Sequence, residues 1–280
     1  MHREINKPNG KILETGPTGS DKTTTLYTTM DILNTPEVNV STVEDPVEYR
    51  MPRVNQTQIN PKVGMTFAAG LRSLLRQDPD IIMVGEIRDQ ETLEIAMHAA
   101  MTGHLVLSTL HTNSAAATLP RMLDMGAEPF LIASTVNVII AQRLVRKLCN
   151  ECRKPYQLDE KQMEALSKSY DVDQIFKTLQ TTPETAKIVG SAKSMRDLTF
   201  YMNGGCDQCG GEGYRGRLGI YEVLEMETNI RKLVTQAATT EDLENMARKE
   251  NGMCSMVEDG FMKVVNGLTT IEEIMRATKE

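Results

Sequence analysis

The sequence lacks a surplus of basic residues. Its 280 residues contain 31 Lys and Arg against 38 Asp and Glu, which gives a formal net charge of −7. Proteins that bind nucleic acid usually present a basic patch or a basic domain, so this balance argues against a zinc-ribbon nucleic-acid binder. We expect no nucleic-acid partner.

Long apolar runs are also missing. No stretch approaches the roughly 18–20 residues of a membrane span, and the first residues, MHREINKPNGK, lack the apolar segment of a secretory signal. The longest candidate, FLIASTVNVIIA (residues 130–141), predicts a buried helix. With 40% hydrophobic residues the chain should be globular, soluble and cytoplasmic. It enters a predicted core strand almost at once, so we also expect it to be part of a longer protein.

Cysteines are few, and four of the five are paired in sequence. Cys149 with Cys152 and Cys206 with Cys209 form two C-x-x-C pairs, and Cys254 stands apart. In a cytosolic protein such pairs indicate metal more often than disulfide. Four thiolates would complete a tetrahedral Zn²⁺ site without an open position, so the site would be structural, the alternative being four reduced buried cysteines. The long separation of the pairs predicts an inserted helical subdomain, roughly residues 157–179.

The first half of the chain alternates short apolar runs with helical patterns, which predicts βαβ units and a parallel sheet. The predicted strands are residues 11–16, 38–45, 81–86 and 105–111, and the predicted helices cover residues 21–35, 66–77 and 89–103. Thr66 is the expected N-cap of the second helix, and the third should open on Asp89. The fold class is therefore α/β.

Each of the four predicted strands ends in residues that could bind a ligand. In chain order, these are the glycine-rich loop that begins at Gly16, Glu44 with Asp45, Glu86, and His111. Ligands of open α/β sheets bind outside those ends, so we expect a site there. Glu86 would act on Mg²⁺ or orient an attacking water. His111 is the candidate sensor of the terminal phosphate, and His104 is a weaker candidate.

GPTGSDKTTT, residues 16–25, departs at one position from the phosphate-binding pattern G-x-x-x-x-G-K-[ST]. Gly16, Lys22 and Thr23 fit the pattern, but Asp21 stands where the pattern has glycine. Aspartate adds a Cβ and a negative charge where phosphates would approach, and pairing of Lys22 with Asp21 would withdraw the lysine. We predict weakened nucleotide binding. The hypotheses left open are a nucleotide hydrolase of reduced activity, a degenerate relative without turnover, and an isolated substitution in an otherwise normal hydrolase.

Taken together, these segments resemble the ATPases of type II secretion and type IV pilus assembly. GPTGSDKTTTLY, VEDPVEY, LRSLLRQDPDIIMVGEIRD and TGHLVLSTLHTNSA are similar, in order, to the family's Walker A, Asp box, Walker B and His box. The resemblance continues through both cysteine pairs, GYRGRLGIYEVL and the C-terminal DGFMKVVNGLTTIEEIMRAT. It covers nearly the whole chain. The family's N-terminal domains would precede this region.

The resemblance implies a RecA-like P-loop core with an inserted tetracysteine zinc subdomain and a helical C-terminal piece. The implied domain bounds are 1–145, 146–225 and 226–280. The implied catalytic residues are Glu86, Lys22 and His111, with Thr23 on Mg²⁺ and zinc on the four paired cysteines. The implied ATP-binding residues are Gly16, Pro17, Thr18, Gly19, Ser20, Asp21, Lys22, Thr23, Thr24, Glu44, Asp45, Glu48, Arg88 and His104.

The same resemblance implies a homo-hexameric motor at the inner face of the cytoplasmic membrane. ATP hydrolysis would drive pilin or pseudopilin assembly through an integral membrane platform protein, with the motor associated peripherally. The alternative is an inactive ring or scaffold subunit of the same machinery. Arg72 and Arg76 lie four residues apart on one predicted helix, and a surface ion pair is the favoured interpretation for Arg72.

Overall fold

A mixed α/β fold emerges from a computed structural model that describes residues 2–279. Its strands are β1 (Gly10–Thr15), β2 (Val40–Glu44), β3 (Val54–Gln58), β4 (Ile81–Val84), β5 (Leu105–Leu110), β6 (Val136–Leu148), β7 (Lys154–Tyr156), β8 (Phe200–Met202) and β9 (Tyr214–Glu225). Its helices are α1 (His2–Ile5), α2 (Lys22–Leu33), α3 (Phe67–Leu74), α4 (Gln90–Met101), α5 (Ala115–Asp124), α6 (Pro129–Thr135), α7 (Glu160–Ser169), α8 (Val172–Thr181), α9 (Pro183–Val189), α10 (Thr228–Thr235), α11 (Thr240–Glu250), α12 (Met256–Val265) and α13 (Ile271–Thr278).

The chain forms two compact units. The first contains residues 1–142 and 222–253, and the second contains residues 143–221 and 254–280. Strands β6 and β9 each have residues in both. Helices α10 and α11 pack on α6 and α5 in the first unit, and α12 packs on α8, α13 and β8 in the second. The helices predicted after residue 226 are thus present, and the division into three domains stays a prediction.

The sheet of the first unit has the order β3-β2-β4-β5-β1-β6-β9. The pairs β1–β5, β1–β6, β2–β3, β2–β4 and β4–β5 are all parallel. Parallel strands are buried on both faces and read as continuous apolar runs, and every residue of β1, β2, β4 and β5 is buried. This confirms the predicted α/β class.

The predicted helix ends are confirmed at two caps. The Thr66 hydroxyl accepts a hydrogen bond from the Ala69 N–H at 3.2 Å, and the Asp89 carboxylate accepts one from the Thr92 N–H at 2.8 Å. Each bond pairs a donor that the first turn of a helix leaves without an internal partner. Among the described residues no helix combines the length and the apolarity needed to cross a membrane.

The predicted buried helix over residues 130–141 is wrong in its second half. Helix α6 ends at Thr135, and β6 begins at Val136, opposite Lys11 of β1. The sequence VNVII that follows Thr135 is rich in β-branched side chains, which favour a strand buried between neighbours. The apolar run is therefore shared between a short helix and a central strand.

The second unit contains a buried carboxylate held by two arginines. Glu273 accepts hydrogen bonds from Arg146 at 2.7 Å and from Arg276 at 2.8 Å, and the Arg146 guanidinium lies 4.1 Å from the centre of the Tyr214 ring. Burial alone would raise the pKa of Glu273, but the arginine hydrogen bonds outweigh it and lower the pKa to about 2. This network links β6 and β9 to α13 within the unit.

Candidate functional site

The loop between β1 and α2 has three residues with positive φ angles. These are Gly16 (φ 149°), Gly19 (79°) and Asp21 (70°). A Cβ on Gly16 would lie 2.4 Å from the Gln142 carbonyl oxygen, so only glycine fits there. Asp21 keeps the left-handed backbone (ψ 29°), which aspartate tolerates better than most residues. The loop therefore retains its wrapped shape despite the departure at Asp21.

Lys22 points into this loop and does not pair with Asp21. Its ammonium group donates to the carbonyl oxygens of Gly16 at 2.9 Å and Pro17 at 3.1 Å. The Asp21 carboxylate instead accepts a hydrogen bond from the Thr24 hydroxyl at 2.8 Å. The prediction that Asp21 withdraws Lys22 by pairing with it is therefore wrong. Burial lowers the pKa of Lys22, whereas the carboxylates of Glu14 and Glu86 raise it.

The remaining loop residues leave room for phosphate. Pro17, Thr18 and Gly19 are exposed, and a Cβ on Gly19 would meet nothing within 4 Å. The Ser20 hydroxyl is buried and has no hydrogen-bond partner among the described residues. The N–H groups at the N-terminus of α2, beginning at Lys22 and Thr23, have no partner within the helix and attract anions. A phosphate fits this cradle, except that Asp21 adds a negative charge beside it.

The Glu86 carboxylate contacts two side chains, Arg88 and His111, at the same edge of the sheet. Glu86 follows β4, and its carboxylate lies 2.6 Å from the Arg88 guanidinium and 3.3 Å from Nε2 of His111 at the end of β5. The Ile87 N–H donates to the Thr109 carbonyl at 3.0 Å, which fixes the loop after β4 to β5. The Glu86 charge also acts on Lys22. Glu86, Arg88, His111 and Lys22 are thus brought together.

The three predicted Asp-box acids lie in different surroundings. Glu44 is buried and accepts hydrogen bonds from the Tyr27 and Thr42 hydroxyls and, at 3.2 Å, from the Gln56 amide. Burial and, after it, the hydrogen bond to Glu44 raise the pKa of Tyr27. These contacts make Glu44 an anchor between β2 and α2.

Asp45 and Glu48 face solvent. Both side chains are exposed, and the Asp45 charge acts on Arg88, which places it on the Glu86 side of the site. The backbone N–H of Glu48 donates to the Tyr27 hydroxyl at 3.3 Å, so the loop that carries both acids is fastened to α2. Asp45 and Glu48 are accessible to a ligand, whereas Glu44 is not.

His104 does not join this cluster within one chain. It precedes β5, its carbonyl accepts a hydrogen bond from the Gly10 N–H at the start of β1, and its Nδ1 lies 2.9 Å from the Ala99 carbonyl. Strands β1 and β5 are parallel and six residues long, so His104 lies at the opposite edge of the sheet, about 20 Å away along the strands. Its role at the nucleotide stays a prediction that this geometry does not support.

Arg72 of α3 and Arg76, which follows that helix, both have exposed side chains. Arg72 forms an ion pair of 2.6 Å with Glu91, and both side chains are about half exposed. Arg76 donates to the Arg72 carbonyl at 3.1 Å. The favoured interpretation of Arg72 as a surface ion pair is therefore confirmed.

A threonine network under the loop was not predicted. The Thr15 hydroxyl donates to the Leu110 carbonyl at 3.0 Å and accepts from the Thr112 N–H at 2.9 Å, and the Thr112 and Thr118 hydroxyls are 2.7 Å apart. The network ties the segment after β5, which carries His111, to the end of β1. Hydroxyl residues are too common near loops for sequence spacing alone to reveal it.

Glu14 is a further residue that sequence reasoning missed. It lies in β1 beneath the loop, is fully buried, and neither carboxylate oxygen has a hydrogen-bond partner among the described residues. Burial raises its pKa to about 9, against smaller opposing effects of the nearby Thr25 hydroxyl and Lys22 ammonium. Two charged residues, Lys11 and Glu14, in a strand predicted to be buried on both faces were the available signal.

The four paired cysteines converge in the second unit. Their sulfur atoms all lie within 4.8 Å of one another, with 3.9 Å between Cys149 and Cys206, 3.8 Å between Cys152 and Cys209, and 3.7 Å between Cys206 and Cys209. A tetrahedral zinc ion with bonds of about 2.3 Å places its sulfurs about 3.8 Å apart. The donor set therefore fits zinc. Helices α7, α8 and α9 lie between the pairs, so helices are present where they were predicted, but they extend to Val189, beyond the predicted end at residue 179.

Backbone amides support the charged form of two of these thiols, Cys152 and Cys209. The N–H groups of Cys206 and Gly213 donate to Sγ of Cys209 at 3.3 and 3.1 Å, and the Gly205 N–H donates to Sγ of Cys152 at 3.2 Å. The Cys206 N–H, the largest influence, and the Gly213 N–H lower the pKa of the Cys209 thiol to about 6. Hydrogen-bond donors of this kind commonly surround the thiolate ligands of a metal site.

A parallel sheet whose carboxyl edge combines a wrapped glycine loop, a helix N-terminus, a lysine and a glutamate defines the P-loop class of α/β proteins. The sequence profile of a family described as "Type II/IV secretion system protein" matches residues 1–276. The chain belongs to this family.

The relatives are named for secretion and pilus assembly. The chain is 46% identical over 280 residues to type II secretion system protein E of Pseudomonas aeruginosa, covering all of this chain and 51% of that protein. It is 48% identical over 277 residues to the type IV pilus assembly ATPase PilB of Acinetobacter baylyi, covering 99% and 44%. The chain thus spans about half the length of the curated relatives it matches.

Solved structures agree with the fold. The crystal structure of the pilus retraction motor PilT with bound ADP is similar with a TM-score of 0.67 and 28% identity, covering 99% of this chain and 64% of that one. The Legionella pneumophila ATPase DotB has a TM-score of 0.65 at 23% identity, which supports the fold alone.

Proposed function

We propose that this chain is the motor region of an ATPase that powers type IV pilus assembly or type II protein secretion. The observation that carries the proposal is the convergence of the phosphate loop, Lys22, Glu86 and His111 at one edge of the parallel sheet. The relatives named as ATPases support the choice of reaction.

The loop residues 16–24 would hold the phosphates of ATP by their backbone N–H groups, and Lys22 would leave the Gly16 and Pro17 carbonyls to meet the negative charge. Bound Mg²⁺, held by the Thr23 hydroxyl, would neutralise charge on the phosphates. Glu86 would orient the attacking water and accept its proton. His111 and Arg88, both on the Glu86 carboxylate, would hold that carboxylate in place or contact the terminal phosphate.

A specific observation favours a second candidate, a ring or scaffold subunit without turnover. Asp21 stands next to Lys22 in the phosphate loop and its side chain is exposed. Its carboxylate opposes the binding of a triphosphate, whose charge has the same sign. If binding of a nonhydrolysable ATP analogue is retained without turnover, the scaffold is the better description.

The Glu86→Gln substitution is expected to separate binding from hydrolysis. It keeps the shape and the contact with Arg88 but removes the base, so ATP turnover should fall by at least about a hundredfold while the analogue binds with nearly unchanged affinity. The measurement is phosphate release and analogue titration in the Asp21→Gly background, where binding is strongest. Glu91→Gln, which changes an exposed acid paired with Arg72, is the matched control. Turnover by Glu86→Gln at the control rate would contradict the assignment.

We further propose that Cys149, Cys152, Cys206 and Cys209 hold a structural zinc ion that fastens the helical insertion at its base. The four sulfurs lie within 4.8 Å of one another and would supply all four ligands of a tetrahedral ion, so no position would be left for substrate. The metal would contribute to the folding of the second unit rather than to catalysis.

Purified protein should contain one zinc ion per chain. Cys209→Ser should lower the zinc content to near zero and lower the melting temperature, because three ligands hold the metal poorly. Elemental analysis with thermal unfolding followed by circular dichroism measures both effects. Cys254→Ser, outside the cluster, should change neither. If complete removal of zinc by a chelator left the melting temperature unchanged, the zinc proposal would be wrong and the four cysteines would be ordinary reduced thiols.

We propose that the motor works as a homo-hexamer associated peripherally with the inner face of the cytoplasmic membrane, on an integral membrane platform protein. The names of the relatives support a role in secretion or pilus assembly. The test of the hexamer and its partner is co-purification with the platform protein together with the measured mass of the assembly.

A further inference from the structure

Glu14 stands at the base of the phosphate loop and faces the first turns of α2. In the parallel register it lies between Thr109 of β5 and Ile140 of β6, neither of which is charged. On the helix side its neighbours are Thr25 and Lys22, and the Thr25 hydroxyl already donates to the Gln142 side chain at 2.8 Å.

The Glu14 side chain is fully buried, and neither of its carboxylate oxygens has a hydrogen-bond partner among the described residues. Lys22 attracts its negative form and Asp21 opposes it. Among the described residues, Lys22 is the cation that would stabilise an ionised Glu14. A triphosphate needs the same ammonium, and it brings several negative charges to within a few ångströms of the buried carboxylate.

We propose that Glu14 is a positioning residue for Lys22, and that this chain binds nucleotide with its Glu14 carboxyl group protonated. The inference rests on the proposed function. When nucleotide binds to a chain whose Glu14 is ionised, one proton passes from solvent to a Glu14 carboxylate oxygen. The Lys22 ammonium, no longer attracted by that charge, then leaves the Gly16 and Pro17 carbonyls for the phosphates. Nucleotide binding is thus coupled to proton uptake at a residue that does not touch the nucleotide.

Proton uptake is a direct readout of this coupling. The pKa of Glu14 near 9 means that about half the chains carry an ionised carboxylate at pH 9. Binding of the Mg²⁺ complex of the β,γ-imido analogue of ATP should then take up at least about half a proton more than in Glu14→Gln. Calorimetric titrations in buffers of different ionisation enthalpy measure this number, with both chains carrying Asp21→Gly so that binding is strong. Loss of the Asp21 charge lowers the pKa of Glu14 and so increases the ionised fraction.

A second readout is the pH profile of affinity. Between pH 7 and 9.5 the dissociation constant of the Glu14 chain should rise about fourfold more than that of Glu14→Gln, because ionised Glu14 must first be protonated. Asp31→Asn, which removes an exposed acid from the same helix, should keep the full proton uptake. If Glu14→Gln is poorly folded by circular dichroism, Glu14→Leu takes its place with the same expectation.

The outcomes separate this coupling from the proposed function. Tight binding by both chains with equal proton uptake and parallel pH profiles would overturn the coupling and leave the motor proposal intact. Absence of binding by both chains at every pH would overturn the proposed function, and the coupling with it. Extra uptake in the Glu14 chain alone supports the positioning role.

Discussion

Replacement of Asp21 by glycine should strengthen binding of Mg·ATP about a hundredfold. Like charges a few ångströms apart at an effective dielectric constant near 20 repel by about 4 kcal/mol, and exposure to solvent reduces this to about 3 kcal/mol at the loop. The Asp21 backbone already has the left-handed conformation of a glycine (φ 70°). The substitution therefore leaves the loop shape intact and removes the charge and the Cβ.

Asp21→Asn distinguishes the two causes. Asparagine tolerates the same backbone conformation and can still accept the hydrogen bond from the Thr24 hydroxyl, but it carries no charge. If charge dominates, asparagine should recover most of the hundredfold gain, and if the Cβ blocks the phosphates, only glycine should. Titration of the three chains with a nonhydrolysable analogue, at matched zinc and protein concentration, measures both effects. Equal affinity of all three would show that Asp21 is tolerated, and the electrostatic argument would be wrong.

The carboxyl edge of the sheet could be predicted from the sequence because parallel strands place their ends together. Glu86 and His111 are 25 positions apart and meet at 3.3 Å for no reason other than the adjacency of β4 and β5. The same rule placed the loop at that edge. The same rule places His104 at the opposite edge of the sheet, because His104 precedes β5 instead of following it.

Other features follow from contacts that no spacing encodes. Glu44 was expected to meet nucleotide but is enclosed by Tyr27, Thr42 and Gln56, and Gln56 comes from β3, a strand absent from the prediction. The four cysteines were predictable because tetrahedral zinc requires a fixed donor number. The position of Glu14 beneath the loop depends on which face of β1 the helix α2 covers, and this becomes evident only in three dimensions.

Replacement of Glu14 by valine should raise the free energy of unfolding by about 3 kcal/mol at pH 7. A carboxyl group whose pKa is about 9 in the folded protein, against an ordinary value of 4.5 in the unfolded chain, must be protonated on folding, at a cost of about 1.4 kcal/mol per pH unit above 4.5. Valine avoids this cost and suits a buried strand. Urea unfolding of zinc-saturated protein is the measurement. A variant no more stable than the parent would show that the carboxylate is solvated.

The shape of the pH profile tests the assignment further, because Lys11 of the same strand acts in the opposite sense. Its pKa is lowered by burial from 10.5 to about 7, and its ammonium nitrogen has no hydrogen-bond partner among the described residues. Because the pKa of Glu14 is raised, its contribution to the free energy of unfolding falls as pH rises from 4.5 to 9. Because the pKa of Lys11 is lowered, its contribution rises as pH increases from 7 to 10.5.

The parent chain should therefore lose stability between pH 5 and 7, vary little between pH 7 and 9, where the two slopes cancel, and recover above pH 9. In Glu14→Val the first loss should disappear and stability should rise throughout the range from pH 7 to 9. In Lys11→Met the decline should instead continue to pH 9. Parallel profiles in all three chains would mean that neither residue changes its protonation on folding. Opposite slopes in the two variants would show that β1 carries two buried groups whose protonation changes on folding.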